Sequence, residues 1–439
     1  MHSKPTSLPR SGPWVAGSFL AGILSFLLAC QATERAEPGR VLLVGIDGAS
    51  LRLIEPLIER GALPTLARIR QEGVSGPLES LMPLQSPIIW NSIATGKRPE
   101  KHGITSFARV EADRSLHLFL GSDRKTHALW NIASDEGLSV GVVNWWNTFP
   151  PEKINGVMIS DHVHQHEIES REQIAHATPT PTGVMVYPEP WDARVRAMLE
   201  RPENPLSIPD PFAGNRNLPY PLASRDRLSG YFADDGFFLR LALEVESSLR
   251  PDVMFVFFPG IDRASHFLWG MTEPPELFPE NLRPTPDKFR DGARALEDYY
   301  AYTDAILGSL IANYGPDDLV VVVSDHGFEF GIELGMLTGQ HKTEAARDGV
   351  IFARGAGVPR GVRVEDLSVL DITPTILAWL GLPVGEDMDG RVADFVGIER
   401  VARIASHDGT PVEWIDSAPS GSDERILENL RALGYLEEE

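Results

Sequence analysis

Three runs of this sequence are apolar without alternation: VLLVGI from Val41, VMFVFF within Asp252–Asp262, and LVVVV within Asp318–Gly327. A strand with one wet face alternates apolar and polar residues, whereas a strand covered on both faces does not. The runs therefore predict interior strands of a sheet with helices on both sides. Helical periodicity fills the intervals. Leu53–Gly73 is amphipathic with one break around Gly61 and Pro64, and Phe237–Leu249, Asp291–Ile311 and Asp371–Gly381 carry apolar residues at helical spacing. Shorter strands are expected at Val140–Asn144 and Val157–Ser160. Strand and helix in alternation give an α/β fold, a three-layer, doubly wound, mainly parallel sheet. Residues 161–229 depart from this pattern: they are proline-rich, lack sustained periodicity and read as an insertion. His162, His164 and His166 alternate within it, and with no partner ligand nearby in sequence they read as part of a solvated loop.

Each of the three runs ends in residues of metal-ligand type. Asp47 follows the first, Asp262 and His266 follow the second, and Asp325 and His326 follow the third; His341 comes later, in GQHKT. Ligands of open α/β sheets bind at the carboxyl ends of the strands. Three carboxylates at that edge repel one another unless divalent cations lie among them, and mixed Asp/His ligation suits zinc, manganese or iron better than calcium. The formal net charge of -22 points the same way: it excludes nucleic acid as a partner and leaves an anionic substrate to be attracted only by bound cations.

The stretch LQSPIIWNSIATGKRPEKHGI, Leu84–Ile104, reads as a helix opened by a serine, either an ordinary capped helix or one that holds an anion at its start. Pro87 favours the first helical position with Ser86 as the cap before it, and the helix closes near Gly96. A hydroxyl there sits among unpaired backbone N–H groups at the positive end of the helix dipole, which suits an oxygen that carries negative charge.

The beginning of the chain is a targeting segment. Lys4 and Arg10 precede an apolar run from Trp14 to Ala29, too short for a confident membrane span, and the run ends in LLAC. That tetrapeptide resembles the lipobox of bacterial lipoproteins, which implies that Cys30 is acylated and becomes the mature N-terminus. The expected organisation is a lipoprotein signal at 1–30, a polar tether at 31–39, a catalytic domain at 40–400 and a tail at 401–439. The tail ends in a helix whose face of Ile426, Leu430, Leu433 and Leu436 docks on the core. The expected location is the periplasm or cell envelope, with a lipid anchor in the membrane. Cys30 is the only cysteine, so the fold rests on its core without disulfides.

In combination, GIDG, a hydroxyl residue opening a helix that ends in TG and continues RPEKHGI, then D-x-x-x-H, SDHG and a late GxH resemble the type I phosphodiesterase and nucleotide pyrophosphatase branch of the alkaline phosphatase superfamily. The resemblance covers roughly residues 40–400 without the insertion. It implies that Ser86 is the nucleophile, where many relatives have threonine. One metal ion would be held by Asp262, His266 and His341, and a second by Asp47, Asp325, His326 and the Ser86 oxygen, most simply both zinc, with manganese an alternative. The implied substrate is a small phosphate ester, a phosphodiester or nucleotide-type pyrophosphate. The alternatives are a phosphomonoesterase, phosphonate hydrolase or sulfatase of the same superfamily, or a non-catalytic envelope lipoprotein. SPIIW lacks the Cys/Ser-x-Pro-x-Arg motif of sulfatases. In one respect the chain departs from the pattern. By ungapped counting from Ser86, Phe107 stands where the nucleotide pyrophosphatases carry an asparagine that contacts a phosphoryl oxygen. Either Thr105, Ser106 or a residue from another loop, such as Lys125 or Lys342 beside His341, replaces that donor, or the substrate differs.

Overall fold

In a computed structural model the three apolar runs lie side by side at the centre of one nine-stranded sheet. The structure describes residues 39–439 except 111–114, 164–182, 202, 215–216, 220–221, 334–336, 419–425, 428–429, 432–434 and 436–439. Cys30, the tether up to residue 38, His164, His166, Leu433 and Leu436 lie outside the described residues.

The strands in chain order are β1 (Val41–Ile46), β2 (Val74–Leu78), β3 (Val140–Val143), β4 (Gly156–Ile159), β5 (Val186–Tyr187), β6 (Val253–Phe258), β7 (Leu319–Val323), β8 (Gly349–Arg354) and β9 (Val362–Arg363). Across the sheet they run β9, β2, β8, β7, β1, β6, β3, β4, β5. β1 pairs in parallel with both β6 and β7, in registers Ile46–Phe258 and Gly45–Val323, so the carboxyl ends of the three runs lie next to each other. Only β8 and β5 run against the rest.

Alternate residues of each central strand enter opposite cores. Leu42, Val44, Met254, Val256, Val320 and Val322 face one layer, which contains the helices α1 (Leu51–Glu59), α2 (Pro64–Glu72), α6 (Leu222–Leu249), α7 (Gly260–Leu268) and α8 (Pro286–Ile311). Val41, Leu43, Val253, Phe255, Val321 and Val323 face the other, with α3 (Ser86–Thr95), α4 (Leu129–Asp135) and α9 (Ile372–Leu380). Each fully buried Val, Leu or Phe contributes about 1.5–3 kcal/mol, so strands with two such faces fix the middle of the sheet. Among the described residues no helix is long and apolar enough to cross a membrane.

Four local expectations shift. The cap of α3 is Gln85, whose carbonyl accepts from Ile88 and Ile89, and Ser86 occupies the first helical position, one residue later than expected. The second apolar run ends as a strand at Phe258 because Pro259 has no N–H to continue the ladder, and Asp262 lies in the first turn of α7. Within 161–229 the described residues include β5 and another helix, α5 (Glu189–Leu199). α6 begins at Leu222, fifteen residues before the expected Phe237. Its first half carries Arg225, Asp226, Asp234, Asp235 and two glycines, which hide the period, yet Leu228, Tyr231 and Phe232 are buried.

Candidate functional site

The site forms where β1, β6 and β7 end and where α3 and α7, from opposite layers, meet. The chain leaves β1 through Asp47 and Gly48. Gly48 has φ +67, and a Cβ there would come within 2.9 Å of the Asp262 Cα and 2.6 Å of the Phe328 ring, so the close approach of the Asp47 and Asp262 backbones depends on glycine. Ser324, at the end of β7, ties the loops together. Its hydroxyl accepts from the Ala49 N–H and donates to the His326 carbonyl.

All seven residues expected as ligands are buried here, with Asp325 and His326 at 0% exposure. Donor atoms of Asp47, Asp325 and His326 lie within 4.8 Å of one another, as do those of Asp262, His326 and His341. His266 Nε2 is 3.6 Å from Asp262 Oδ1, and His341 Nε2 is also 3.6 Å from that oxygen. His326 therefore stands within reach of both groups, with its ring stacked 3.8 Å from that of His341. The Ser86 hydroxyl, at the start of α3, is 3.4 Å from Asp47 Oδ1.

Donor chemistry and unmet hydrogen bonds fit divalent ions. His326 Nδ1 lies 3.0 Å from the Gly327 carbonyl and His341 Nδ1 3.1 Å from the Leu84 carbonyl; a carbonyl only accepts, so the proton is on Nδ1 and each Nε2 presents a lone pair to the site. His326 Nε2, Asp325 Oδ2 and Asp262 Oδ1 are buried without a hydrogen-bond partner. Buried polar atoms left in this way cost about 1–3 kcal/mol each, a cost that a cation removes. The acid–base state agrees. Burial first, and then the charges of Asp325 and Asp262, raise Asp47 well above the usual carboxylate range; burial likewise pushes Asp325 up to about 7. Asp262 is lowered: burial acts upward, but His266 and His341 outweigh it. Burial, then the neighbouring His326, hold His341 well below its usual value.

Beside Ser86 and Asp47 opens a pocket with apolar walls of Phe107, Trp146, Phe238 and Phe257, and with Arg263 also in its lining. Phe107, the departure from the family pattern, thus lines the space next to Ser86. Arg263 is 3.5 Å from Asp234 and lies over the Tyr231 ring. Lys342 lines a separate opening with His266 and His341 and is ion-paired with Glu333. Lys97, beyond the end of α3, is buried between Asp387 and Asp408, and its charge is engaged there.

Sequence reasoning missed three features. Asn144 and Asn147, at φ 59 and 54, follow β3 and line the pocket. Two asparagines in NWWN at a strand end are a left-handed-turn signal that could have marked them. The third is Tyr435, whose hydroxyl lies 2.8 Å from His266 Nε2, 2.9 Å from His341 Nε2 and 3.0 Å from Asp262 Oδ2; no local pattern points to it.

The model of the type I phosphodiesterase / nucleotide pyrophosphatase family matches residues 41–348. None of the curated proteins compared matches the chain. Among solved structures, a putative sulfatase from Bacteroides thetaiotaomicron is 12% identical with a TM-score of 0.51, over 85% of this chain and 76% of that one. An inactive variant of murine ectonucleotide pyrophosphatase / phosphodiesterase 5 in complex with AMP is 11% identical with a TM-score of 0.50, over 82% of this chain and 99% of that one. A phosphonoacetate hydrolase from Sinorhizobium meliloti, in complex with phosphonoformate, is 18% identical with a TM-score of 0.42; the match covers 67% of this chain and spans 58% of the hydrolase. At these identities the likeness concerns the fold.

Proposed function

Because the chain belongs to the type I phosphodiesterase / nucleotide pyrophosphatase family, we propose that it hydrolyses phosphate esters, preferentially diesters or nucleotide-type pyrophosphate bonds, with Ser86 as nucleophile beside two divalent ions. The observation that carries this reading is the placement of the Ser86 hydroxyl, 3.4 Å from Asp47 at a helix N-terminus, against two buried Asp/His donor groups with unpartnered atoms.

Asp262, His266 and His341 would hold one ion and Asp47, Asp325 and His326 the other, with His326 between them. Zinc or manganese in these positions would offset the carboxylate charge, favour ionisation of the serine hydroxyl and polarise the phosphoryl oxygens. Ser86 Oγ, directed by α3, attacks phosphorus as its proton leaves towards Asp47 Oδ1. The O–P bond forms, the bond to the leaving oxygen breaks, and a phosphoryl group remains on Ser86. Water then attacks the same phosphorus, the Ser86–phosphorus bond breaks, and Ser86 Oγ regains a proton. The positive end of the α3 dipole, where Ser86 sits, would favour the negative charge that develops on the phosphoryl oxygens.

The pocket wall supports the preference for a diester. A monoester dianion asks for a nearby cation, whereas Phe107, Trp146 and Phe238 offer surface to an organic substituent. Lys97 is bound to two carboxylates and Lys342 to Glu333. The test compares catalytic efficiency on a nitrophenyl diester and the matching monoester at one pH and zinc content. The diester should be favoured; a tenfold monoester preference, about 1.4 kcal/mol in transition-state stabilisation, overturns the substrate assignment. For the segment outside the described residues, the proposal remains export and acylation at Cys30.

A further inference from the structure

The first half of α6 brings charge to a pocket that is otherwise walled largely by rings. Tyr231, Asp234, Asp235 and Phe238 recur at helical spacing and so share one face of that helix. All four are buried, Asp234 at 1% exposure. Tyr231 and Phe238 line the pocket beside Ser86, and Asp234 meets Arg263 of α7, which lines it too. A carboxylate is rarely buried so fully without a partner of opposite charge, and Arg263 is that partner.

The pairing leaves most of the guanidinium unused. One nitrogen lies 3.5 Å from Asp234, whereas Lys97 lies 2.6 and 2.7 Å from its two carboxylates, and a charge-assisted N–H···O bond is ordinarily about 2.7–2.9 Å long. A guanidinium has five N–H donors in a planar fork; among the described residues the Arg263 side chain makes no other hydrogen bond. The Tyr231 ring, with its centroid 5.3 Å away, steadies the group without taking up a donor. The side chain keeps 24% exposure, and among the described residues that line the pocket it is the one permanent cation. Nor does it serve the carboxylates near Ser86. Successive helix residues project about 100° apart, so Arg263 leaves α7 in a different direction from Asp262. Among the described residues it forms no ion pair with Asp47, Asp262 or Asp325. It belongs to the wall formed by Tyr231 and Phe238.

We propose that Arg263 determines substrate specificity by binding an anionic oxo group, carboxylate or phosphate, on the organic substituent of the ester, with Asp234 as its positioning residue. The inference rests on the phosphoester reading above and narrows it to substrates whose substituent is itself acidic. The guanidinium fork takes two oxygens of such a group at once, which the ammonium of a lysine does not.

The test uses the zinc-loaded full chain and nitrophenyl diesters that share the leaving group and differ in the second substituent: phenyl, carboxyphenyl or phosphonophenyl. Calorimetry on the matching arylphosphonates, which have no ester bond to cleave, measures affinity separately from turnover. Wild type should favour an acidic substituent over phenyl by about tenfold or more, the worth of one charge-assisted hydrogen bond, chiefly through KM. The arm with the larger effect identifies the anion. Arg263→Met alone strands the buried Asp234, so it is combined with Asp234→Asn and compared with Asp234→Asn by itself. The preference should persist in Asp234→Asn, whose amide oxygen still accepts from the guanidinium, and be lost in the double variant; Arg263→Lys should keep part of it. No preference in wild type, or the same preference in Asp234→Asn and the double variant, overturns the inference and leaves Arg263 only to offset Asp234. If no diester is cleaved but arylphosphonate affinity shows the expected contrast, the proposed hydrolysis has failed and the Arg263 site stands. Diester turnover with no contrast in preference or affinity is the converse result, and it overturns the inference alone.

Discussion

Asparagine in place of Asp47 keeps the side-chain shape and removes one charge from the group formed with Asp325 and His326, so its effect on stability should reverse sign with metal. The donor atoms of that group lie within 4.8 Å of one another. Two full negative charges at that distance repel by about 3.5 kcal/mol at an effective dielectric constant of about 20. The figure is for the widest separation in the group and assumes both carboxyls fully ionised. Burial raises both carboxyls, with the charge of Asp325 adding to the rise at Asp47 and that of Asp262 to the rise at Asp325, so protonation already relieves part of the strain. Alkaline buffer favours ionisation of both, so there Asp47→Asn should stabilise the metal-free chain, by about 3 kcal/mol where both are charged. With zinc the balance inverts. Loss of an anionic ligand that weakens binding a hundredfold removes about 2.7 kcal/mol of ligand-linked stability. Thermal unfolding in alkaline buffer, with EDTA and with zinc in excess, measures both. The variant should melt above wild type in EDTA and below it in zinc. A shift of the same sign in both conditions refutes the assignment of Asp47 to a metal-binding group of carboxylates.

Lys97→Met strips the cation from between Asp387 and Asp408, and loss of one partner of a buried ion pair should cost about 3 kcal/mol, read as a lower urea midpoint. Asp235, buried against Tyr299, is pushed by burial up to about 7. Its folded pKa exceeds the unfolded value of about 3.9, so its contribution to stability is complete below about pH 4 and lost as pH rises through about 7. Asp235→Asn should gain on wild type across that window in urea unfolding, and parallel pH profiles would refute the reading. Cys30→Ala should move the protein from the membrane to the soluble fraction on cell fractionation; a variant still in the membrane fraction refutes acylation as the anchor.

The middle of the fold was legible because β1, β6 and β7 are buried on both faces and so appear in sequence as unbroken apolar runs. Their ends were legible for a related reason: Asp47, Asp262 and Asp325 are unusual exits from such runs, and parallel pairing brings equivalent ends together. β2 was hidden because VSGPL contains Gly76 and Pro77, both poor strand residues. The first half of α6 was hidden because Asp234 and Asp235 look outward in sequence, while in the fold Asp235 accepts from Tyr299 and Asp234 meets Arg263. The place of His326 between the two donor groups depends on how the loop after Ser324 folds back, which spacing does not encode. Tyr435 was illegible for a longer-range reason: its position depends on contacts of Leu430 and its own ring with Phe107, more than 300 residues earlier.

The covalent step through Ser86 tests the account most directly. The zinc-loaded protein is quenched with acid while it turns over a bis-nitrophenyl diester, and the mass of the peptide containing Ser86 is determined. The account predicts a fraction of that peptide heavier by one nitrophenyl-phosphoryl group, carried on Ser86 and absent from Ser86→Ala, which should not turn over. An unmodified peptide, together with wild-type turnover by Ser86→Ala, would contradict it.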